Sequence, residues 1–161
     1  MIAGIWPYGS GEIDLPDNKN MMYLPQKPYM PIGTLKEALL FPDHVGTFSD
    51  AQLIELLNAV RLPELVNQLH FATMWSERLS PGELQRIAFF RVLLHKPDWV
   101  FLDETTSALD MESEKYLYTL LKTTLPNCSI VSVGHRPSLE EFHTKTLNLM
   151  EYSVVREAFS P

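Results

Sequence analysis

Two adjacent carboxylates follow a short apolar run near the middle of the chain. The stretch "WVFLDETTSALD", residues 99–110, places four apolar residues directly before Asp103 and Glu104. A carboxylate at a strand end can hold Mg²⁺, because Mg²⁺ takes one or two protein carboxylates and completes its shell with water and phosphate oxygens. Its neighbour can accept a proton from an attacking water. Acidic residues also cap helices that follow strands, so this pair alone leaves both interpretations open.

A helix start with an unusual glycine lies upstream. The stretch "RLSPGELQR" places Ser80, Pro81 and Glu83 at the N-cap, first and third helical positions, a well-capped beginning that needs no ligand. Gly82 is left unexplained, because glycine in a helical turn costs up to about 1 kcal/mol relative to alanine. Glycine there would let a phosphate approach the backbone N–H groups of the helix N-terminus closely.

Alternating apolar and amphipathic stretches predict the elements that position these residues. The runs at 98–103 and 129–134 are apolar on both faces, which predicts strands covered on both sides. Further apolar runs lie at 20–25 and 144–150, and helices are expected over 49–60, 81–95 and 110–125. The alternation predicts an α/β fold with flanking helices and a mainly parallel sheet, whose central strands include 99–103 and 129–133. Ligands bind beyond the carboxyl ends of strands in such sheets, where Asp103 and Glu104 lie.

The composition narrows the class of protein. The chain has 161 residues, 45% of them hydrophobic and 20% charged, as in ordinary globular proteins. No stretch approaches the roughly 20 apolar residues of a membrane-spanning helix. The formal net charge of −7 argues against a broad phosphate-binding surface, so we expect no nucleic-acid partner.

Four motifs together resemble one family. The stretch "LSPGELQRIAFFRVLLHKPDWVFLDETTSALD" resembles the signature motif, following helix, Walker B strand and D-loop of the ATP-binding-cassette (ABC) ATPases. "YLPQKPYMPIGTLKEAL" resembles the Q-loop, with Gln26, and "SVGHRPSLEEFH" resembles the switch-histidine segment, with His135. "GHRPSLEEFH" and "LSPGE" are similar to an exporter-type branch that includes peroxisomal fatty-acyl transporters and bacterial relatives suggested to move peptides or cobalamin.

The resemblance implies a fold and a division of the chain. Residues 1–161 would form a partial P-loop NTPase cassette. Residues of about 49–95 would form a helical, signature-bearing subdomain, and the remainder would form the sheet core.

The resemblance also implies ATP and Mg²⁺ as cofactors and assigns catalytic roles. Asp103 would orient Mg²⁺, and Glu104 would act as general base on the lytic water. Gln26 would hold water and Mg²⁺ together, because its amide both donates and accepts. His135 would hydrogen-bond the γ-phosphate and steady Glu104.

A second set of residues is implied in binding nucleotide between two copies of the domain. In ABC ATPases two domains close head to tail, and each signature contacts the ATP held by its partner. Ser80, Gly82 and Glu83 belong to that half-site by resemblance, and Asp110 would contact the partner across the dimer. Asp110 also suits the N-cap of the helix at 111–125.

A surface segment resembles the part of the family that meets the membrane. The stretch "TLKEALLFPD" resembles the surface that contacts the coupling helices of a transmembrane domain, although its apolar residues suit a core equally well. The resemblance therefore implies a transmembrane-domain partner. It also implies a location at the cytoplasmic face of a membrane, which is the inner membrane in a bacterium.

The phosphate loop of the family does not occur in these residues. The motif G-x-x-x-x-G-K-[ST] supplies backbone N–H groups, a lysine and a hydroxyl for the phosphates and Mg²⁺. "YGSGE", residues 8–12, lacks the Lys-Ser/Thr pair. We expect the chain to begin inside the cassette. We also expect no significant ATPase activity from it alone, because losing even one preorganised donor costs about 10²–10³ in rate.

Three functions follow from this pattern. The first is the ATP-hydrolysing domain of an ABC transporter that powers export or translocation across a membrane. The second is a non-catalytic, degenerate cassette that supplies a signature half-site to a partner ATPase. The third is a soluble ABC ATPase of DNA repair or translation, which the acidic charge disfavours.

Overall fold

The computed structural model describes residues 12, 14, 20–43, 48–148 and 151, so the glycine-rich stretch at 8–11 lies outside the described residues. In chain order, the elements are β1 (Met21–Leu24), β2 (Gly33–Thr34), α1 (Leu35–Leu40), α2 (Asp50–Ala59), β3 (Ala72–Thr73), α3 (Trp75–Arg78), α4 (Pro81–His95), β4 (Trp99–Asp103), α5 (Met111–Thr124) and β5 (Ser129–Val133), with 3₁₀ segments over Pro63–Gln68 and Pro137–Phe142. The α/β fold predicted from the alternating pattern is confirmed.

Over the described residues, the principal sheet has three parallel strands. Strand β4 lies between β1 and β5 and pairs in parallel with both. Leu24 pairs with Leu102, and Asp103 pairs with Val133, so the three strands end at the same edge. The prediction that 129–133 is a central strand is wrong within the described residues, where β5 forms an edge of the sheet.

The two faces of the principal sheet are buried to different extents. Val100 and Leu102 of β4 are fully buried on one face. On the other face, the rings of Tyr23 and Phe101 stack with centroids 4.7 Å apart and are only half-buried. Val133 of β5 is 55% exposed. The expectation of strands covered on both faces is therefore wrong for the described part of the chain, because aromatic stacking gives the second face only partial cover.

The apolar run at 144–150 differs from the other apolar runs, because its described residues are not part of a strand. Residues 144–148 form no strand, and residues 149–150 lie outside the described part of the chain. Within that part, no helix is both long and apolar enough to cross a bilayer.

Helix α4 forms the centre of the core. Its side chains are buried nearly all round, as its apolar composition predicted, and Ile87 and Phe90 are fully enclosed. The helix begins with a capping box, in which the Ser80 side chain accepts from the backbone of Glu83 and the Glu83 side chain accepts from the backbone of Ser80. Both partners of the box were predicted from their spacing, because capping depends only on local sequence.

A buried arginine attaches the segment after β1 to this helix. The Arg91 guanidinium donates from Nη2 to the carbonyl oxygens of Tyr29 at 2.9 Å and Ala38 at 2.6 Å. Burial lowers the pKa of Arg91 to about 10, because a low-dielectric environment disfavours the charged form. These bonds hold the loop that carries Gln26, and the second half of α1, against α4.

Candidate functional site

Glu104 lies at a strained turn directly after β4. Its φ angle is 46°, in the left-handed region that few non-glycine residues adopt. Its N–H donates to the carbonyl oxygen of Val133 at 3.0 Å, which extends the pairing of β4 with β5 by one further bond. Strained backbone of this kind concentrates at functional sites. The turn fixes where the Glu104 carboxylate leaves the sheet.

The Glu104 carboxylate meets side chains from the loops after both neighbouring strands. Gln26 donates from Nε2 to Glu104 Oε2 at 3.0 Å. The Nδ1 atom of His135 lies 3.6 Å from Glu104 Oε1, a contact that becomes an ion pair when the ring is protonated. The side chains of Glu104 and His135 are 39% and 75% exposed, so solvent and ligands reach them. The structure therefore brings together Gln26, Glu104 and His135, the three residues predicted to be catalytic.

Asp103 ends β4 and is exposed to solvent beside Glu104. No group of three or more His, Cys, Asp or Glu residues that could hold a metal ion occurs in the described part of the chain. Such a group is not required for Mg²⁺, because this ion takes one or two carboxylates and several oxygens from water and phosphate. Gln26 donates to Glu104 and Ser107 through its nitrogen, which leaves the amide oxygen as its group for a cation. The oxygens of Asp103 and Gln26 are thus of the type that Mg²⁺ requires.

The N-terminus of α4 is already occupied by a side chain of the same helix. Ser80 donates to Glu83 Oε2 from its hydroxyl at 2.5 Å and from its N–H at 2.7 Å. In return, the Glu83 N–H donates to Ser80 Oγ at 3.3 Å. The Glu83 carboxylate consequently lies where the positive end of the helix dipole would attract a phosphate. A phosphate approaching Ser80 would meet this negative charge.

Gly82 lies against the loop that follows Glu104. A Cβ atom at Gly82 would stand 3.5 Å from the carbonyl oxygen of Ala108 and 3.6 Å from a methyl carbon of Leu109. These are ordinary van der Waals distances, so packing inside this chain does not require glycine. The structure therefore places Gly82 against the loop that follows Glu104.

Asp110 caps α5 at the far end of the same loop. Its carboxylate accepts from the Ser113 N–H at 2.8 Å and from the Ser113 hydroxyl at 3.0 Å. These bonds, the one from the backbone N–H above all, lower the pKa of Asp110 below its usual range. The capping role expected for this residue is confirmed, and its carboxylate remains exposed.

Two polar residues near the site were missed in the sequence. Gln85 is buried on α4 and bonds to the loops of Gln26 and Glu104. Arg136 follows His135 and bonds to the loop after Glu104. The sequence shows that Gln85 is a glutamine within an otherwise apolar helix face, which could have marked it as a residue with polar partners. It does not show which residues those partners are, because they are remote in sequence.

The fold and the sequence place this chain in a known class. A solved bacterial Atm1-family ABC exporter with ATP bound aligns with a TM-score of 0.64 at 21% identity, over 74% of this chain and 21% of that one. The α/β architecture is therefore that of the ATP-binding domain of an ABC exporter. A family model described as ABC transporter matches residues 1–107. The chain belongs to the ABC transporter family and comprises part of an ATP-binding domain.

Several curated relatives match most of this chain. An uncharacterized ABC transporter ATP-binding protein of Haemophilus influenzae is 45% identical over 150 residues, which are 93% of this chain and 25% of the relative. ABC transporter D family member 1 of Dictyostelium discoideum is 35% identical, over 91% of this chain and 21% of the relative. A lysosomal cobalamin transporter of Mus musculus is 33% identical, over 92% of this chain and 26% of the relative. The chain thus spans about a quarter of the length of these proteins.

The lowered pKa of Asp110 predicts a pH-dependent stability. Because the pKa is lower in the folded chain, the charged cap stabilises the fold above the ordinary aspartate pKa of about 3.9, and this contribution disappears as the pH falls through the lowered value. In Asp110→Asn, an uncharged cap keeps the hydrogen bonds. Urea unfolding midpoints of the two chains should therefore differ by a constant amount near neutral pH and converge in acid. A difference that does not change with pH would contradict this account.

Proposed function

We propose that this chain is the part of an ABC-transporter nucleotide-binding domain that carries Asp103, Glu104 and the signature segment around Ser80. In this proposal, the complete domain hydrolyses ATP to power movement of a substrate across a membrane. One observation carries the proposal: the Glu104 carboxylate is held by Gln26 and faces His135 at the common end of three parallel strands. Three polar groups that converge on one strand edge are arranged for chemistry on a bound ligand rather than for packing.

Glu104 is the general base in this proposal. Its carboxylate is partly exposed, so a water can reach it, and the Gln26 amide restricts its orientation. His135 stands on the opposite carboxylate oxygen, where its ring can orient Glu104 and donate to a phosphate oxygen when protonated. A positioned base of this kind contributes about 10²–10⁴ in rate.

Asp103 and Gln26 are the residues proposed to hold Mg²⁺ with ATP. Bound Mg²⁺ would supply charge neutralisation for the phosphates. Asp103 presents an exposed carboxylate at the strand end, and the Gln26 amide, whose nitrogen donates to Glu104 and Ser107, would add a neutral oxygen. The two adjacent carboxylates would thus have different roles, since Asp103 would bind the ion and Glu104 would accept the proton from water.

The proposed partners are a second ABC ATPase domain and a transmembrane domain. Ser80, Gly82 and Glu83 would contact a nucleotide held by the second domain in a head-to-tail dimer, with Asp110 close to the same interface. Helix α4 presents its N-terminus at the surface there. The Glu83 carboxylate must turn away from Ser80 for this contact, because it competes for the site that a phosphate would take.

The proposed contact with a transmembrane domain lies on the side of the antiparallel pair of β2 and β3. Exposed apolar side chains lie close in sequence to these two strands, namely Tyr29, Ile32, Phe41, Phe71 and Met74. Apolar side chains gathered in this way mark protein–protein contacts. Relatives that are named as transporters, including the cobalamin transporter of Mus musculus, support this assignment. The chain would then lie at the cytoplasmic face of a membrane.

A degenerate, non-catalytic cassette is the second candidate. It rests on the N-terminus of α4, where Ser80 is exposed and Gly82 is partly exposed, so that a nucleotide held by a partner can reach both residues. In that case Ser80 and Gly82 would serve a partner's nucleotide, and these residues alone would not hydrolyse ATP.

Substitution of Glu104 separates the two candidates. This chain replaces the matching 150 residues of the H. influenzae relative, and ATP hydrolysis by the chimaera is measured. Glu104→Gln should lower kcat by about 10²–10⁴ without weakening ATP binding, because the amide keeps shape but takes no proton. Glu55→Gln, an exposed site on α2, is the matched control and should hydrolyse normally. A chimaera that binds ATP but does not hydrolyse it would favour the degenerate cassette, and an active Glu104→Gln chimaera would refute the proposed base.

Substitution of Asp103 should produce a different defect in the same chimaera. Asp103→Asn removes the charge that positions the cation, so the Mg²⁺ concentration for half-maximal hydrolysis should rise, and added Mg²⁺ should restore part of the rate. Glu104→Gln should show no such rescue. The measurement is a Mg²⁺ titration at saturating ATP, and identical Mg²⁺ curves for the unsubstituted and Asp103→Asn chimaeras would exclude Asp103 as the metal-binding residue.

A further inference from the structure

The loop between Glu104 and Asp110 is held from the side of α4 by one buried glutamine. Gln85 is 2% exposed and donates from Nε2 to the Ser107 hydroxyl at 3.1 Å. Its Oε1 accepts from the Ala108 N–H at 2.9 Å. A longer contact of 3.5 Å joins Nε2 to the carbonyl oxygen of Gln26. One side chain on the signature helix thus contacts the loops of both Gln26 and Glu104.

The same loop is held from the opposite side by an arginine. Arg136 donates from Nη2 to the carbonyl oxygen of Ser107 and from Nη1 to that of Leu109, each at 2.9 Å. Its charge is balanced by Glu114 at 3.4 Å, whose side chain is 1% exposed. Because Arg136 directly follows His135, the arginine fixes the histidine segment to the loop.

Glu114 is itself held by hydrogen bonds that leave it little freedom. Its carboxylate accepts from the hydroxyls of Thr106 at 2.6 Å and Ser138 at 2.7 Å. Thr106 belongs to the same loop, and Ser138 belongs to the segment after Arg136. The buried carboxylate therefore connects the same two segments as Arg136, namely the loop after Glu104 and the segment after β5. It also attaches both of them to the first turn of α5.

Ser107 is where these contacts meet. Its hydroxyl accepts from Gln85 and, at 3.4 Å, from Gln26, while its carbonyl oxygen accepts from Arg136. Burying the Gln85 amide is costly unless its groups are bonded, and the Arg136 side chain is partly buried, at 29% exposure. An apolar residue would pack as well at the buried position of Gln85, so its amide is explained by its bonds to the loop, and Arg136 bonds to two carbonyl oxygens of the same loop.

We propose that Gln85 and Arg136 are positioning residues that grip Ser107–Leu109 from two sides and so fix Glu104, Gln26 and His135 relative to the signature end of α4. The importance of that alignment rests on the proposed function. The hydrogen-bonded grip does not rest on it, because the contacts lie within this chain.

The grip is tested by nuclear magnetic resonance on the full, isotopically labelled chain without nucleotide. Arg136→Lys keeps the charge beside Glu114 but loses the paired bonds to two carbonyl oxygens. This variant should shift the side-chain amide signals of Gln85 and Gln26, which Arg136 does not contact. Gln85→Leu should in turn shift the ring signals of His135 and should speed amide exchange of Ala108 about tenfold, the effect of one lost hydrogen bond.

Two further variants keep the test decisive. Ser107→Ala removes only the shared hydroxyl, so it should shift the Gln26 and Gln85 amide signals even if Gln85→Leu does not fold. Arg86→Lys is the matched control on α4, because Arg86 bonds to the Arg61 carbonyl oxygen and the Ser113 hydroxyl and not to the loop. This control should leave the Gln26, Gln85 and His135 signals in place.

The outcomes distinguish this proposal from the proposed function. If Arg136→Lys leaves the Gln26 and Gln85 signals unmoved, or if Arg86→Lys moves them as much, the two-sided grip is overturned. If the expected shifts occur while the chimaera fails to hydrolyse ATP, the grip stands and the hydrolytic role fails.

Discussion

The parallel pairing of β4 with strands on both sides constrains everything else at this site. Leu24 is opposite Leu102, and Asp103 is opposite Val133, so three loops leave the sheet at one edge. The left-handed turn at Glu104 is held there by a bond to Val133. Since the catalytic candidates reach each other only from these three loops, a shift of one residue in either pairing would separate them.

Helix α4 connects the sheet edge to Ser80 and Gly82, in the segment that resembles a signature motif. Its N-terminus carries Ser80 and Gly82, its second turn carries Gln85, and further along Arg91 binds the segment that leads into α1. The helix is buried nearly all round and is closely packed against the rest of the core. The same helix therefore carries both the Ser80–Glu83 capping box and Gln85, which bonds to the loop after Glu104.

Local features of the fold were predictable, and remote ones were not. The capping box of Ser80 and the N-cap at Asp110 follow from residues three apart, and both are confirmed. The convergence of Gln26 and Glu104 joins residues 78 apart, and the sequence indicates it only through the family resemblance. The partners of Gln85 are 22 and 23 residues away and depend on how α4 packs, which no periodicity encodes. The half-exposed face of β4 was also missed, because an apolar run does not reveal what covers it.

The central claim is that Gln26 and His135 act through the carboxylate of Glu104. A double-mutant cycle in the ATP-hydrolysing chimaera tests it most directly, with Gln26→Ala and His135→Ala measured singly and together for kcat. Residues that act as one unit are strongly non-additive. The account predicts that the double variant loses much less than the product of the two single losses. Losses that simply multiply would show that the two residues act independently, and would contradict it.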